Sequence, residues 1–408
     1  MELDTANLAK ARAYIDSYWQ RLVRKNETDS GTLIGLPNPY LVPSYPEDSE
    51  FNYDELYYWD SYFMVQGMLD EPHKDLVLGI LDDLIYLFQR FNIIPNGSRL
   101  YYTSRTQPPF LTSFIFDVYD AYNLDAEWLR EKIFVAMQEY ETVWMGTKKP
   151  NARQVYQGLS RYYDFNYLND LAEAESGWDM TPRFERKALD YLPIDLNTLL
   201  YKYEKDFARA ARILGDTDEA AAWDERAQRR KETIDKLMWS ERDGLYYDYN
   251  YATKKRGTVA SLASFYPLWA GMVDEKRAAR LVRSLARFEK AGGLVTAVLQ
   301  PLTHRFRRSI PLQWAYPNGW APLQFLIIKG LERYGFHAES KRIALKWLQT
   351  NLNWFTAHGE FLEKYNVVHP AEEPAKGLYP PQTGFGWSNA VFERLCRDYV
   401  DGGGRSGE

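Results

Sequence analysis

Apolar residues return at helical spacing along most of this chain, and the helical stretches come in pairs separated by long loops. Residues 5–26 carry Leu8, Ala11, Ile15, Tyr18, Trp19 and Leu22, one stripe of a helix. Residues 74–91 repeat the pattern through Leu76, Ile80, Leu81, Leu84, Ile85 and Phe88. Further helical patterns cover about 110–123, 126–146, 194–214, 217–238, 259–271, 275–290, 320–335 and 338–354, and a last one ends near 398. That predicts about twelve helices, with a tyrosine-rich, hairpin-like excursion at 239–256. Loops longer than about 15 residues are uncommon in compact domains unless they serve a function. Here they recur at 27–52, 92–109, 147–185, 291–318 and 355–383. Paired helices without a strict sequence repeat are best satisfied by a closed, all-α ring. Six inner helices would sit inside six outer ones, with the loops gathered at one end. No Pro/Gly linker divides the chain, so one domain is expected over 1–400, with a disordered tail at 401–408.

The balance of charge narrows the function. Net charge is −6 and no basic tract occurs, which argues against nucleic acid as a partner. No run of about 18 apolar residues suggests a membrane span. The start, Met1-Glu2-Leu3-Asp4, lacks the pattern of a signal peptide. A single cysteine, Cys396, excludes an intrachain disulfide and fits a reducing, cytoplasmic setting. The histidines, at 73, 304, 337, 358 and 369, form no close pair, so no metal and no cofactor are expected. Aromatic content is 16%, with 13 Trp and 31 Tyr, many outside the helical patterns. Aromatics in loops suit the apolar faces of sugar rings.

Six loop stretches carry candidate chemistry. Glu175 to Phe184 reads Glu-Ser-Gly-Trp-Asp-Met-Thr-Pro-Arg-Phe. Gly177 lets a substrate approach the backbone. Asp179, buried beside Trp178, would keep its proton near neutral pH, as a general acid for glycosidic cleavage must. The competing reading makes Asp179 the cap of a helix starting near Thr181, with Pro182 in its first turn. In Tyr57-Tyr58-Trp59-Asp60-Ser61-Tyr62, Asp60 is either an N-cap or an acceptor for two sugar hydroxyls. Asn96, Arg105 and Gln107 place three planar polar groups in a Pro/Gly-stiffened loop. Residues 313–322, Gln-Trp-Ala-Tyr-Pro-Asn-Gly-Trp-Ala-Pro, set Trp314 and Trp320 around a turn, as a sugar-stacking rim rather than core. Glu363-Lys364 taken alone reads as solvated surface. Gln382-Thr383-Gly384-Phe385-Gly386-Trp387 is a glycine-aromatic turn opening the last helix.

Together, and in this order over about 350 residues, these stretches resemble the trehalases of glycoside hydrolase family 37. The resemblance implies an (α/α)6 barrel and an inverting mechanism, with Asp179 as general acid and Glu363 as general base. It also implies sugar contacts from Trp59, Asp60, Asn96, Gln107, Gly177, Trp178, Trp320 and Trp387. Inversion calls for carboxyl groups about 6.5–9.5 Å apart. The departures fall on charged groups that in that family largely serve the second glucose. Val42-Pro43 is followed by an insertion, and Asn52 stands at the family's arginine position. An Arg-x-Glu segment is missing between Arg161 and Glu175, and Ala315 replaces an aspartate. Lys376-Gly377-Leu378-Tyr379 replaces a glycine run ending in Glu-Tyr.

The turn at 175–183 is also similar to the family 63 hydrolases of mannosylglycerate and glucosylglycerate. By that resemblance Tyr40, Gln313, Trp314, Tyr379 and Gln382 would serve the glycerate, and Arg183 or Arg105 would face its carboxylate. The expected activity is therefore hydrolysis of 2-O-α-mannosyl- or glucosylglycerate, a small anionic sugar, to hexose and glycerate. The rivals are a divergent trehalase, another α-disaccharide hydrolase, and a non-catalytic sugar-binding barrel. The segments at about 44–52 and 364–382 are expected to close over the substrate.

Overall fold

A computed structural model describes residues 3–45, 53–299, 312–377 and 380–402. Tyr379, Asn52, most of the 44–52 segment and the tail from 403 lie outside them. Among the described residues, the chain forms α1 (Thr5–Leu22), α2 (Tyr58–Val65), α3 (Lys74–Phe91), α4 (Leu111–Tyr122) and α5 (Ala126–Glu139). It continues with α6 (Asn169–Glu175), α7 (Ile194–Ile213), α8 (Thr217–Met238), α9 (Tyr266–Trp269) and α10 (Glu275–Ser284). The last three are α11 (Ala321–Arg333), α12 (His337–His358) and α13 (Gly386–Tyr399). None is long and apolar enough to cross a membrane.

Burial separates two rings. All eight residues of α2 are buried, as are most of α4, α7, α11 and α13. By contrast α8, 22 residues long, buries only Ala220, Ala227, Arg230, Ile234, Leu237 and Met238. The inner helices touch in a circle, α2 to α13, α13 to α11, α11 to α9, α9 to α7, and α7 to α4. The circle closes where Tyr62 of α2 meets Phe114 of α4, ring centroids 6.3 Å apart, and where Gln66 Nε2 donates to Asp117 Oδ2 at 2.9 Å. Outer helices pack behind, α8 on α7, α12 on α11, and α1 on α12 and α13. The expected (α/α)6 barrel is therefore present.

Side-chain caps are found on several outer helices, though not on α3 or α12. The outer helices α1, α5, α8 and α10 begin at Asp4, Asp125, Asp216 and Asp274, each accepting a first-turn N–H. The inner helices α2, α4, α11 and α13 begin at Tyr57, Phe110, Trp320 and Phe385, with no cap from their own side chains. Their starts belong to the long loops that build the site.

Several boundaries differ from the sequence reading. α1 stops at Leu22 because Val23–Arg24 pairs with Tyr40–Leu41. The 126–146 pattern leaves the α-helix after Glu139 for a π-helical turn, Tyr140–Trp144. The 259–271 pattern is one 3-10 turn, Leu262–Phe265, and the four residues of α9. α6 lies within the stretch read as irregular; at seven residues it is too short for periodicity to register. The hairpin-like excursion at 239–256 is real: Trp239–Ser240 pairs with Leu245–Tyr246, and Tyr249–Asn250 with Lys255–Arg256.

Candidate active site

The long loops and inner-helix starts enclose a cavity of about 500 Å³. Behind it lies a block of indoles. Trp314 stacks on Trp320 with centroids 3.8 Å apart and planes 4° from parallel. Trp178 also stacks with Trp314, at 5.5 Å, and Trp387 stands edge-on to Trp59, Trp314 and Trp320. Trp314 and Trp320 are buried, so they form the inner wall rather than the exposed rim expected from their turn. Trp178 does not reach the cavity; it backs the wall.

Asp179 comes from the turn after α6. No helix begins at Thr181, which removes the capping reading. Gly177 fits because its φ is +71° and an added Cβ would lie 2.5 Å from Trp59 Cζ2. The Asp179 carboxyl faces the cavity, and burial together with the charge of Glu363 pushes its pKa up to about 6.

Glu363 and Lys364 are 2% and 0% exposed, against the surface reading of that dipeptide. The reason is a ladder that local pattern does not show: Asn318–Trp320 pairs antiparallel with Lys364–Asn366, setting Trp320 opposite Lys364. The Glu363 main chain is held by Gln382 O, which accepts its N–H at 2.9 Å, and by Trp387 Nε1, which donates to its carbonyl at 2.9 Å. Lys364 Nζ donates to Glu363 Oε2 at 2.6 Å and to Gln313 Oε1 at 3.2 Å. Gln313 Nε2 in turn donates to Asp179 Oδ2 at 3.3 Å. One hydrogen-bonded chain therefore joins the two carboxylates.

Asp60 sits in the first turn of α2 and lines the same cavity. It is not the cap: the Trp59 N–H goes to Gln107 Oε1 at 2.9 Å. Burial pushes Asp60 up to about 8, with Glu363 and Asp179 adding to the rise. Asn96 and Arg105 also face the cavity. Asn96 Nδ2 bonds Thr106 O at 3.1 Å. Arg105 lies 5.1 Å over the Tyr102 ring, with its Nη1 3.6 Å from Asp164.

These motifs compare with known proteins as follows. The trehalase family model matches residues 2–170 and 163–399. The chain belongs to the trehalase family. It is 35% identical to a cytosolic neutral trehalase of Neurospora crassa, over 90% of this chain and 59% of that one. It is 33% identical to a periplasmic trehalase of Xanthomonas campestris, over 96% and 74%. The chain thus spans under two thirds of the Neurospora relative's length. Among solved structures, the neutral trehalase Nth1 of Saccharomyces cerevisiae superposes with a TM-score of 0.74 at 30% identity, over 88% and 73% of the two chains. A family 63 mannosylglycerate hydrolase from Thermus thermophilus, with glucose bound, shares the fold at a TM-score of 0.69 and 18% identity, over 95% and 100%.

Besides Trp178, three expected contacts of this trehalase-family member are not on the cavity. Arg183 is locked between Asp195 and Asp248, with contacts of 2.6 and 2.8 Å from its Nη2, and lies 4.5 Å over Trp178. It cannot also face a glycerate. Tyr40 is buried elsewhere and donates its hydroxyl to Asp54 O at 2.6 Å. Gln313 touches Asp179 and Lys364 without lining the space itself. Gln382, Trp59 and Trp387 line it as expected. Tyr53, Tyr57, Tyr102, Pro380 and Phe385 also line it and were not singled out. Tyr57 and Tyr102 share a 3.0 Å hydroxyl contact, and Tyr57 donates to Glu55 at 2.8 Å. The excess of loop tyrosines was the available signal; the bridge of Tyr57 with Gly97 that gathers them is long-range.

Proposed function

We propose that this protein is an inverting α-glycosidase that releases a hexose from an α-linked substrate, with trehalose the first candidate. The supporting observation is that Asp179 and Glu363 line one cavity and are joined through Lys364 and Gln313. Asp179, protonated up to about pH 6, gives its proton to the glycosidic oxygen as the bond to the anomeric carbon breaks. A water attacks that carbon from the other face and yields its proton to Glu363. The Lys364 ammonium supplies a countercharge to the base. Asp60, Asn96 and Gln107 hold the sugar's hydroxyls, and the indole wall takes its apolar face. The trehalase relatives support this reading, and those named cytosolic support a cytoplasmic setting.

A second reading keeps the mechanism and changes the leaving group to glycerate. It is favoured by Ala315 and Asn52, where the family's charges for the second glucose are missing. With Arg183 occupied, Arg105 is the one cation among the described lining residues, and it would meet the carboxylate. Product release from trehalose, mannosylglycerate and glucosylglycerate side by side, with Asp179→Asn as blank, decides between them. Glucose from trehalose establishes the first reading; glycerate from either other substrate, with trehalose untouched, establishes the second. No product from any of the three refutes both leaving groups and leaves another α-disaccharide or a non-catalytic sugar-binding barrel.

A further inference from the structure

Met180, directly after Asp179, has φ +63°, in the left-handed region that a side chain with a Cβ disfavours. Both of its peptide groups are clamped. Its N–H donates to Glu173 Oε1 at 2.9 Å, and the Thr181 N–H donates to the same oxygen at 3.1 Å. Its carbonyl accepts the N–H groups of Gln313 at 3.1 Å and Trp314 at 3.3 Å. Glu173 stands in the last turn of α6, 2% exposed, and does not line the cavity. A carboxylate accepting two backbone N–H groups makes stronger bonds than a neutral acceptor.

We infer that Glu173 is a positioning residue for the general acid. It holds Met180 in its left-handed conformation and so aims the Asp179 carboxyl into the cavity. This rests on the glycosidase reading above. Without the Glu173 carboxylate, Met180 relaxes toward negative φ, and the carboxyl before it swings off the line to the glycosidic oxygen. The larger consequence falls on proton delivery, because the Glu363 main chain keeps its own bonds to Gln382 and Trp387.

The test compares two substrates of one enzyme, trehalose (or whichever glycoside the wild type cleaves) and the α-glycosyl fluoride of the same hexose. Fluoride leaves without a proton from the acid, so only the glycoside depends on Asp179's aim. Glu173→Ala is expected to lower kcat on the glycoside about 10²-fold, the cost of a misplaced reacting group. Its kcat on the fluoride should fall less than about 3-fold. Adding Met180→Gly, which needs no clamp for positive φ, should restore at least about 10-fold of the loss. Glu173→Gln, which keeps an acceptor oxygen, should lie between wild type and Glu173→Ala, and it carries the same two-substrate comparison if the alanine variant fails to fold. Equal losses on both substrates, no loss on either, or no recovery with Met180→Gly would overturn the assignment. A wild type inert toward both substrates would instead refute the glycosidase reading itself, and with it the acid that Glu173 aims.

Discussion

At the residue scale the cavity is defined by buried acids. Asp179 and Asp60 are pushed up to about 6 and about 8, from an ordinary value near 3.8. Asp179 must be protonated to act, so kcat/KM should fall as pH rises through about 6; a pH–rate profile with no alkaline limb there would contradict the role. The same shifts bear on stability. Each folded value lies above the unfolded one, so their contribution is full below about pH 4 and is lost as pH rises through 6 for Asp179 and through 8 for Asp60. Asp60→Asn should therefore shrink the drop in Tm between pH 5 and pH 8; melting curves at the two pH values read this directly. Lys364→Met leaves Glu363 buried without its 2.6 Å partner and should cost about 3–5 kcal/mol by denaturant unfolding.

At the scale of elements, the site is made of inner-helix starts capped by other parts of the chain. α2 takes its cap from Gln107, 48 residues away. Gln107→Leu should cost about 1 kcal/mol of unfolding free energy, as a lost N-cap does, and raise KM as well. A result confined to KM would mean that the cap carries no stability. Gly177→Ala should be harsher, because positive φ and the 2.5 Å approach to Trp59 act together; both Tm and activity should fall. This scale also shows what the sequence disclosed. Long helices such as α7 and α8 were legible because 20 or more residues sample the 3.6-residue period several times. The motif residues Asp60, Gln107, Asp179, Glu363 and Trp387 were legible as motifs and meet in one cavity. Arg183 was misplaced because nothing local announces that Asp195 and Asp248 converge on it. Glu363-Lys364 looked exposed because its burial depends on a strand partner more than 40 residues earlier.

For the whole molecule, closure of the inner ring is the governing fact. Tyr62, 2% exposed, bridges α2 and α4, stacking on Phe110 at 4.7 Å away from the cavity lining. Tyr62→Ala should cost about 3–5 kcal/mol. Because the ring shares its faces all round, circular dichroism and tryptophan fluorescence should report one coincident, lowered transition rather than a local loss. Contact between α2 and α13 has a further consequence for biosynthesis. A growing chain carries the apolar flank of α2 uncovered while every intervening helix is made, since its neighbour is the last described one to emerge. Glu363 waits on the same event, because Trp387 of α13 supplies the bond to its carbonyl. Nascent chains are thus exposed to misassociation for most of their synthesis, and a holding chaperone has the most to protect in the interval before α13 arrives.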